Sequence, residues 1–265
     1  MFIVLVNKII FQRRRVMKKT NLFFLAALTV FMVLTVFTFC GCADAGSGQS
    51  KLLFQGRSSL RLTAKDGTVM YVDPHSGDGY DLPADIILVT HEHDDHNNVA
   101  KIAAQNPECV IIRVADAIAG DGTPQTFNVK GITIEAVDAE NKLHTTKGPL
   151  DPDNRWLVMA VGYIITIDGA KVYVSGDTDG TDQMKTFAAK KLDYAFLVCD
   201  GKFNMTPAEA AECAKNIAAK HNIPYHTHQE FPAGSFDKDI AQAFAAAAPN
   251  AMILEPGQEI TLVNN

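Results

Sequence analysis

The chain has 265 residues, 47% of them hydrophobic, enough for one sizeable core or a fused pair of domains. The formal charge of −6 is uneven: residues 1–42 hold six basic and no acidic residues, leaving 18 basic against 30 acidic, a net of −12, over residues 43–265. That acidity disfavours a nucleic-acid or anionic-membrane surface for the body of the protein.

In chain order, the first segment reads as a targeting leader. "RRRVMKKTN" is a basic n-region, the 19 uncharged residues Leu22–Cys40 form an apolar run, and small residues follow in "CGCADAGSGQS". Met17 begins a more typical signal, "MKKTNLFFLAAL", so the true start could lie there. "FTFCGC" resembles a bacterial lipobox, with Cys42 as the lipidated residue. The competing reading is an uncleaved membrane anchor, since 19 apolar residues nearly span a bilayer. Either reading tethers the protein to a membrane, outside the cytoplasm. The expected organisation is a leader over 1–42, a polar linker over 43–51 and one domain over 52–265.

Strands are expected at "SLRLTA", "TVMYVD", "DIILVT", "CVIIRV", "ITIEAV", "LVMAVGYIITID", "KVYVSG", "YAFLVC", "AMILE" and "EITLV", punctuated by turns such as "KDG", "DGA" and "EPGQ". Helices are expected at "NNVAKIAAQN", "TDQMKTFAAKK", "TPAEAAECAKNIAAKH" and "DKDIAQAFAAAAP". The third carries Thr206 as N-cap, Pro207 at its first position and Glu209 closing a capping box, and it would end at His221, whose charge suits a helix C-terminus. Strands crowd early and alternate with helices later, which implies an α/β sandwich of mixed sheets. Cys109, Cys199 and Cys213 form no CxxC pair and read as small buried hydrophobes.

The stretch "VTHEHDDHNN" places six ionisable side chains, His91 to His96, directly after a strand. Side chains on a strand repeat every two residues, so His91 and His93 could share one ion, while Asp95 and His96 in the following turn could reach a second. Nitrogen donors mixed with a carboxylate suit Zn, Mn or Fe at a catalytic site. Further donors lie at other strand ends: Asp177 in "VYVSGDTDG", His144 in "AENKLHTTKG", and His226 or His228 in "NIPYHTHQE".

With H-x-H-x-D-H and "SGDT" in place, the chain resembles the metallo-β-lactamase-fold hydrolases. It is most similar to their L-ascorbate-6-phosphate-lactonase-like branch, through "GYIITIDGAKVYVSGDTDG" and "MTPAEAAE…IPYH". The resemblance implies an αββα sandwich of two mixed β-sheets flanked by helices. It implies two divalent ions, Zn or Mn, with His91, His93 and His144 holding the first and Asp95, His96 and His226 the second. Asp177 would bridge them, Asp95 and Asp177 would act in catalysis, and Asp73 in "YVDP" would orient a histidine from behind. His226 matches the family position and His228 is its competitor. The branch often has Gly-His-Ser where this chain reads "QGRSS", so Arg57 stands in the place of a histidine. The loop "TTKGPLDPDNRW" is long for the branch; Lys147, Arg155 and Trp156 in it could contact substrate, and His75 could line the cleft.

The expected activity is metal-dependent hydrolysis of a small-molecule lactone, ester or phosphoester. No G-x-S-x-G nucleophile motif competes with it. Two alternatives stand beside it: a non-catalytic metal- or solute-binding lipoprotein, and a nuclease or phosphodiesterase of the same fold.

Overall fold

Strands that read as unbroken apolar runs become the centres of two sheets. In the computed structural model, residues 48–141, 160–228 and 236–264 are described, and all fall in one compact unit, Ser47–Asn265. The first sheet comprises β1 (Lys51–Gly56), β2 (Ser59–Thr63), β3 (Val69–Val72), β4 (Ala84–Leu88), β5 (Gln105–Ile112) and β12 (Glu259–Thr261). The second comprises β6 (Thr126–Val129), β7 (Ile132–Asp138), β8 (Val161–Ile167), β9 (Ala170–Val174), β10 (Tyr194–Val198) and β11 (His221–Tyr225). Their orders are β12-β1-β2-β3-β4-β5 and β11-β10-β9-β8-β7-β6. Both sheets are mixed: β3, β4 and β5 run parallel in one, and β9, β10 and β11 in the other. Parallel strands are covered on both faces, which is why "VMYV", "ADIIL" and "YAFLV" are buried at every position. β7 instead alternates, with Ile132, Ile134 and Ala136 buried and Thr133 and Glu135 half-buried.

The inner faces meet in one apolar core, where Leu60, Met70, Val72, Ile86 and Leu88 of the first sheet join Ile134, Val161, Tyr163, Val172 and Val174 of the second. Val69, Tyr71, Ile87 and Val89 point the other way and form a smaller cluster with Tyr80 and Ile102. The second sheet is backed by the helix Pro207–Ile217, which packs against β10, the helix Lys238–Ala247 and the 3-10 helix Gln183–Lys190. Thr206 and Glu209 form the expected capping box. The fold is thus a metallo-β-lactamase-type α/β sandwich of two mixed sheets flanked by few helices.

Four expectations are corrected. "NNVAKIAAQN" contains only a 3-10 turn, Val99–Lys101, because Ile102 drops into the cluster around Tyr80 and Gln105 pairs with Ala84 to begin β5. "AMILE" is not a strand; among the described residues its ladder contact is the isolated bridge from Ala251 to Asn222. The helix after Thr206 stops at Ile217, with Ala218 left-handed, so His221 opens β11 and stacks on Tyr194 with ring centroids 5.1 Å apart. The segment assigned to linker ends one residue too late, because Lys51 already begins β1. Three strands, β1, β6 and β11, also go beyond those expected.

Hairpin chemistry is local. Asp168–Gly169 and Lys130–Gly131 close β8–β9 and β6–β7 with positive φ at both positions, the twist-matched turn that two-residue hairpins favour. Cys199 and Cys213 are buried free thiols and Cys109 is half-buried; burial pushes the Cys213 thiol up to about 11. Among the described residues no helix is long and apolar enough to cross a membrane; the leader, including Cys42, lies outside the described residues.

Candidate metal centre

The strand directions bring the chemistry to one edge. β1 and β3 point the same way because each is antiparallel to β2, and β7 and β9 likewise flank β8. The C-terminal ends of β1, β3, β4, β9, β10 and β11 therefore deliver Arg57, Asp73, His91–His96, Asp177, Asp200 and His226. Two backbone links tie the sheets together at this edge. Val161 donates to the Thr90 carbonyl at 2.9 Å, and His226 donates to the Arg57 carbonyl at 2.8 Å. Arg57, Asp73 and His226 all carry left-handed φ, of 51°, 46° and 49°. Such strain in non-glycine residues persists only where the surroundings enforce it.

Two groups of donors converge: His91, His96 and Asp177, and Asp95, His96 and His226. His96 belongs to both. Its Nε2 lies 3.3 Å from Asp177 Oδ1 and 3.8 Å from Asp95 Oδ2. His226 Nε2 lies 3.4 Å from Asp95 Oδ2 and 3.6 Å from Asp177 Oδ1. The other Asp177 oxygen, Oδ2, faces His91 Nε2 at 3.9 Å, so one carboxylate reaches both groups. The glycine before it is obligatory: Gly176 has φ +63°, and a Cβ there would sit 2.8 Å from the Val161 carbonyl oxygen.

Behind this layer lies a support. Asp73 is wholly buried. It accepts from Thr90 N at 2.8 Å and Thr90 Oγ1 at 2.7 Å, and its Oδ2 is 2.8 Å from His96 Nδ1. A carboxylate on one imidazole nitrogen orients the ring and aims the other nitrogen at the site. Asp200, which sequence reasoning missed, is buried behind His226 with Oδ2 3.7 Å from Nδ1. Its oxygens accept from the backbone of Lys202 and Phe203 and from the Asn204 side chain. The signal was available, since "LVCD" repeats the pattern of an acid just after a buried apolar strand, as in "YVD".

The charges follow from crowding. Burial lowers the His96 imidazole, but Asp177 and Asp73 outweigh it and hold it well above the usual histidine range. Burial, and then the charge of His96, hold His91 well below that range. Burial raises the carboxyls of Asp95 and Asp177, yet the facing histidines, with Arg57 for Asp95, hold both well below the usual carboxylate range.

His93 is exposed, with Nδ1 2.9 Å from His91 Nε2. His228 is half-buried and outside both groups, whereas His226 is 2% exposed at the end of β11. His75 is half-buried, with Nδ1 3.1 Å from Ser76 Oγ. His144, Lys147, Arg155 and Trp156 lie outside the described residues. Arg57 is the largest surprise. It is buried, and both Nε and Nη2 meet Asp95 Oδ2, at 2.7 and 2.6 Å.

The donor set fits a metal. His96 Nε2, His226 Nε2 and Asp177 Oδ1 are buried, face one another and lack a hydrogen-bond partner among the described residues. Leaving such atoms unpaired is costly unless something else ligates them. A two-sheet sandwich with histidines and carboxylates gathered at its strand ends defines a metal-dependent hydrolase of the metallo-β-lactamase fold.

Comparison with known proteins agrees. Residues 51–226 match the family described as the beta-lactamase superfamily domain, and the chain belongs to that family. Among curated relatives are proteins named UPF0173 metal-dependent hydrolase. One from Geobacillus thermodenitrificans is 29% identical over 232 residues, 80% of this chain and 100% of the relative. One from Ligilactobacillus salivarius is 31% identical over 191 residues, 66% and 84% of the two chains. Among solved structures, one titled a metal-dependent hydrolase from Parabacteroides distasonis is 32% identical, with a TM-score of 0.58 over 79% of this chain and 94% of its own. The metallo hydrolase Igni18 of Ignicoccus hospitalis, 21% identical with a TM-score of 0.59 over 82% and 100%, shares the fold.

The placement of the two neighbouring histidines yields a direct test. His226→Ala is expected to lose one metal and most turnover, and His228→Ala to keep its metal with a modest change in rate. Metal content and rate of both variants check it; the reverse pattern would transfer the role to His228.

Proposed function

We propose that this protein is a dinuclear hydrolase acting on a small-molecule lactone, ester or phosphoester, as its likeness to the lactonase-like branch suggests. The observation that carries the reading is the convergence of partnerless buried donors, His96 Nε2, His226 Nε2 and Asp177 Oδ1. In this reading Asp95, His96 and His226 hold one ion, His91, His93 and His144 hold the other, and Asp177 serves both. Zn and Mn suit nitrogen donors mixed with carboxylates. When bound, such ions make water a nucleophile near neutral pH and offset charge on the substrate oxygen.

The chain's own residues do the rest. Asp73 fixes the His96 ring through Nδ1, and ligation through Nε2 requires that nitrogen to shed its proton. Asp177, kept anionic by the facing histidines, presents one oxygen to each donor group. Asp95, also kept anionic, would hold one ion and orient the water that the ion activates. His228, half-buried two residues past His226, and Lys147 are the residues this reading offers for substrate contacts.

The test is turnover of a panel of lactones, esters and phosphodiesters by Zn- and Mn-loaded protein. Hydrolysis of a lactone or simple ester supports the reading, and preference for phosphodiesters favours the phosphodiesterase alternative. Retained metal with no turnover favours a binding protein.

The leader motivates a companion proposal, that the enzyme works outside the cytoplasm, held to a membrane through Cys42. Cys42→Ala is expected to abolish lipid labelling and signal processing. Unchanged processing and attachment in that variant would mean that Leu22–Cys40 is itself the anchor.

A further inference from the structure

The Arg57 contact has no counterpart among the ligand roles assigned above. The residue sits in the β1–β2 hairpin, where the register shifts between Phe54 and Gly56 and φ is positive at both Gly56 and Arg57. Such irregularities re-aim a side chain, and this one aims a guanidinium inward. The side chain is 5% exposed, and two of its nitrogens meet a single oxygen, Asp95 Oδ2. That oxygen is also the one facing His226 Nε2 and His96 Nε2. Arg57 touches the same group a second time, through the bond from His226 N to its carbonyl. The Asp177 carboxylate, by contrast, faces three histidines, His91, His96 and His226.

We propose that Arg57 makes the two metal positions unequal, so that the Asp95–His96–His226 position is the weaker and the first to empty. The proposal rests on the dinuclear reading given above. A guanidinium keeps its charge at any working pH. Buried as it is, it is poorly screened by water or salt. A divalent cation on the Asp95 side would share Oδ2 with that fixed positive charge, and like charges at such range repel strongly in a low-dielectric site. The carboxylate's own charge is also partly spent on two charge-assisted bonds.

An opposing effect exists, because a partner that orients a ligating carboxylate normally tightens metal binding. It is the smaller effect here. The backbone at Asp95 is already placed by the turn in which His96 N donates to the His93 carbonyl at 2.9 Å, and Arg57 meets the very Asp95 oxygen that faces both histidines. A position that empties easily would let metal supply set how many chains are fully loaded.

The experiment is a calorimetric titration of Zn2+ into metal-free full-length protein in detergent micelles. The wild type should bind in two steps with dissociation constants at least about tenfold apart. Arg57→Gln removes the charge and should tighten the weaker step by roughly tenfold, leaving the tighter step unchanged. Arg57→Lys keeps the charge and should keep the two steps apart. Arg57→Met is measured alongside in case the glutamine variant does not fold, as circular dichroism would reveal, and should behave like it. Two equal steps in the wild type overturn the proposal. So does an unchanged or weakened second step in the charge-removing variants, which would mean that Arg57 only orients Asp95, or merged steps in Arg57→Lys. A wild type that binds no Zn2+ would instead overturn the dinuclear reading itself, and this proposal with it.

Discussion

Replacing His96 with alanine is expected to lose the ion held with Asp95 and His226, to loosen the other, and to lower turnover by at least roughly 10²–10³-fold, the scale on which one preorganised stabiliser of developing charge matters. Among the described residues, His96 is the one shared by both donor groups. Its Nε2 faces Asp95 and Asp177 together, and its Nδ1 is held by Asp73. Losing it leaves two carboxylates facing each other with one fewer cation between them, so the vacated site would repel itself when metal-free. His91→Ala or His226→Ala should each cost one ion, with the other retained. Metal content of the three variants after identical reconstitution, and how tightly each keeps its remaining ion, checks this, and a His96 variant that keeps both ions would show that Asp177 organises the centre without it.

The second large effect is on stability. Asp73→Ala should destabilise the fold by about 3–5 kcal/mol, the cost of breaking a buried charged pair by removing one partner. The change removes the carboxylate partner of Thr90 N, Thr90 Oγ1 and His96 Nδ1 in a wholly buried setting. It also forces alanine to hold φ +46°, a region it disfavours. Asp73→Asn should cost much less, because asparagine tolerates that backbone and can still accept from Thr90. Metal affinity should fall in both, by roughly 10–100-fold for an outer partner of a ligating histidine. Urea unfolding of the two variants measures the first effect. Equal stabilities for alanine and asparagine would mean that the Asp73 contacts contribute little.

Much of this centre was legible in the sequence because its parts obey local rules. A buried strand followed at once by H-x-H-x-D-H can aim its donors only past the strand end, and Asp177 and Asp73 follow the same pattern after β9 and β3. The Thr206–Glu209 box and the Asp168–Gly169 turn are likewise local and were readable as such. What escaped depends on partners distant in the chain. Whether "NNVAKIAAQN" coils or pairs is decided by Ala84 and Tyr80, not by its own composition. β6 is a short, half-exposed edge strand with only Val129 and Phe127 to mark it. Arg57 stood out in the sequence only as an unexpected residue. Its contact with Asp95, 38 positions away, exists because β1 and β4 end on the same edge.

The central claim is that this edge holds two metal ions, and elemental analysis of the purified protein after reconstitution with Zn2+ or Mn2+ tests it most directly. Close to two ions per chain are expected, falling to about one in His96→Ala. A wild-type value near zero after reconstitution would contradict the claim.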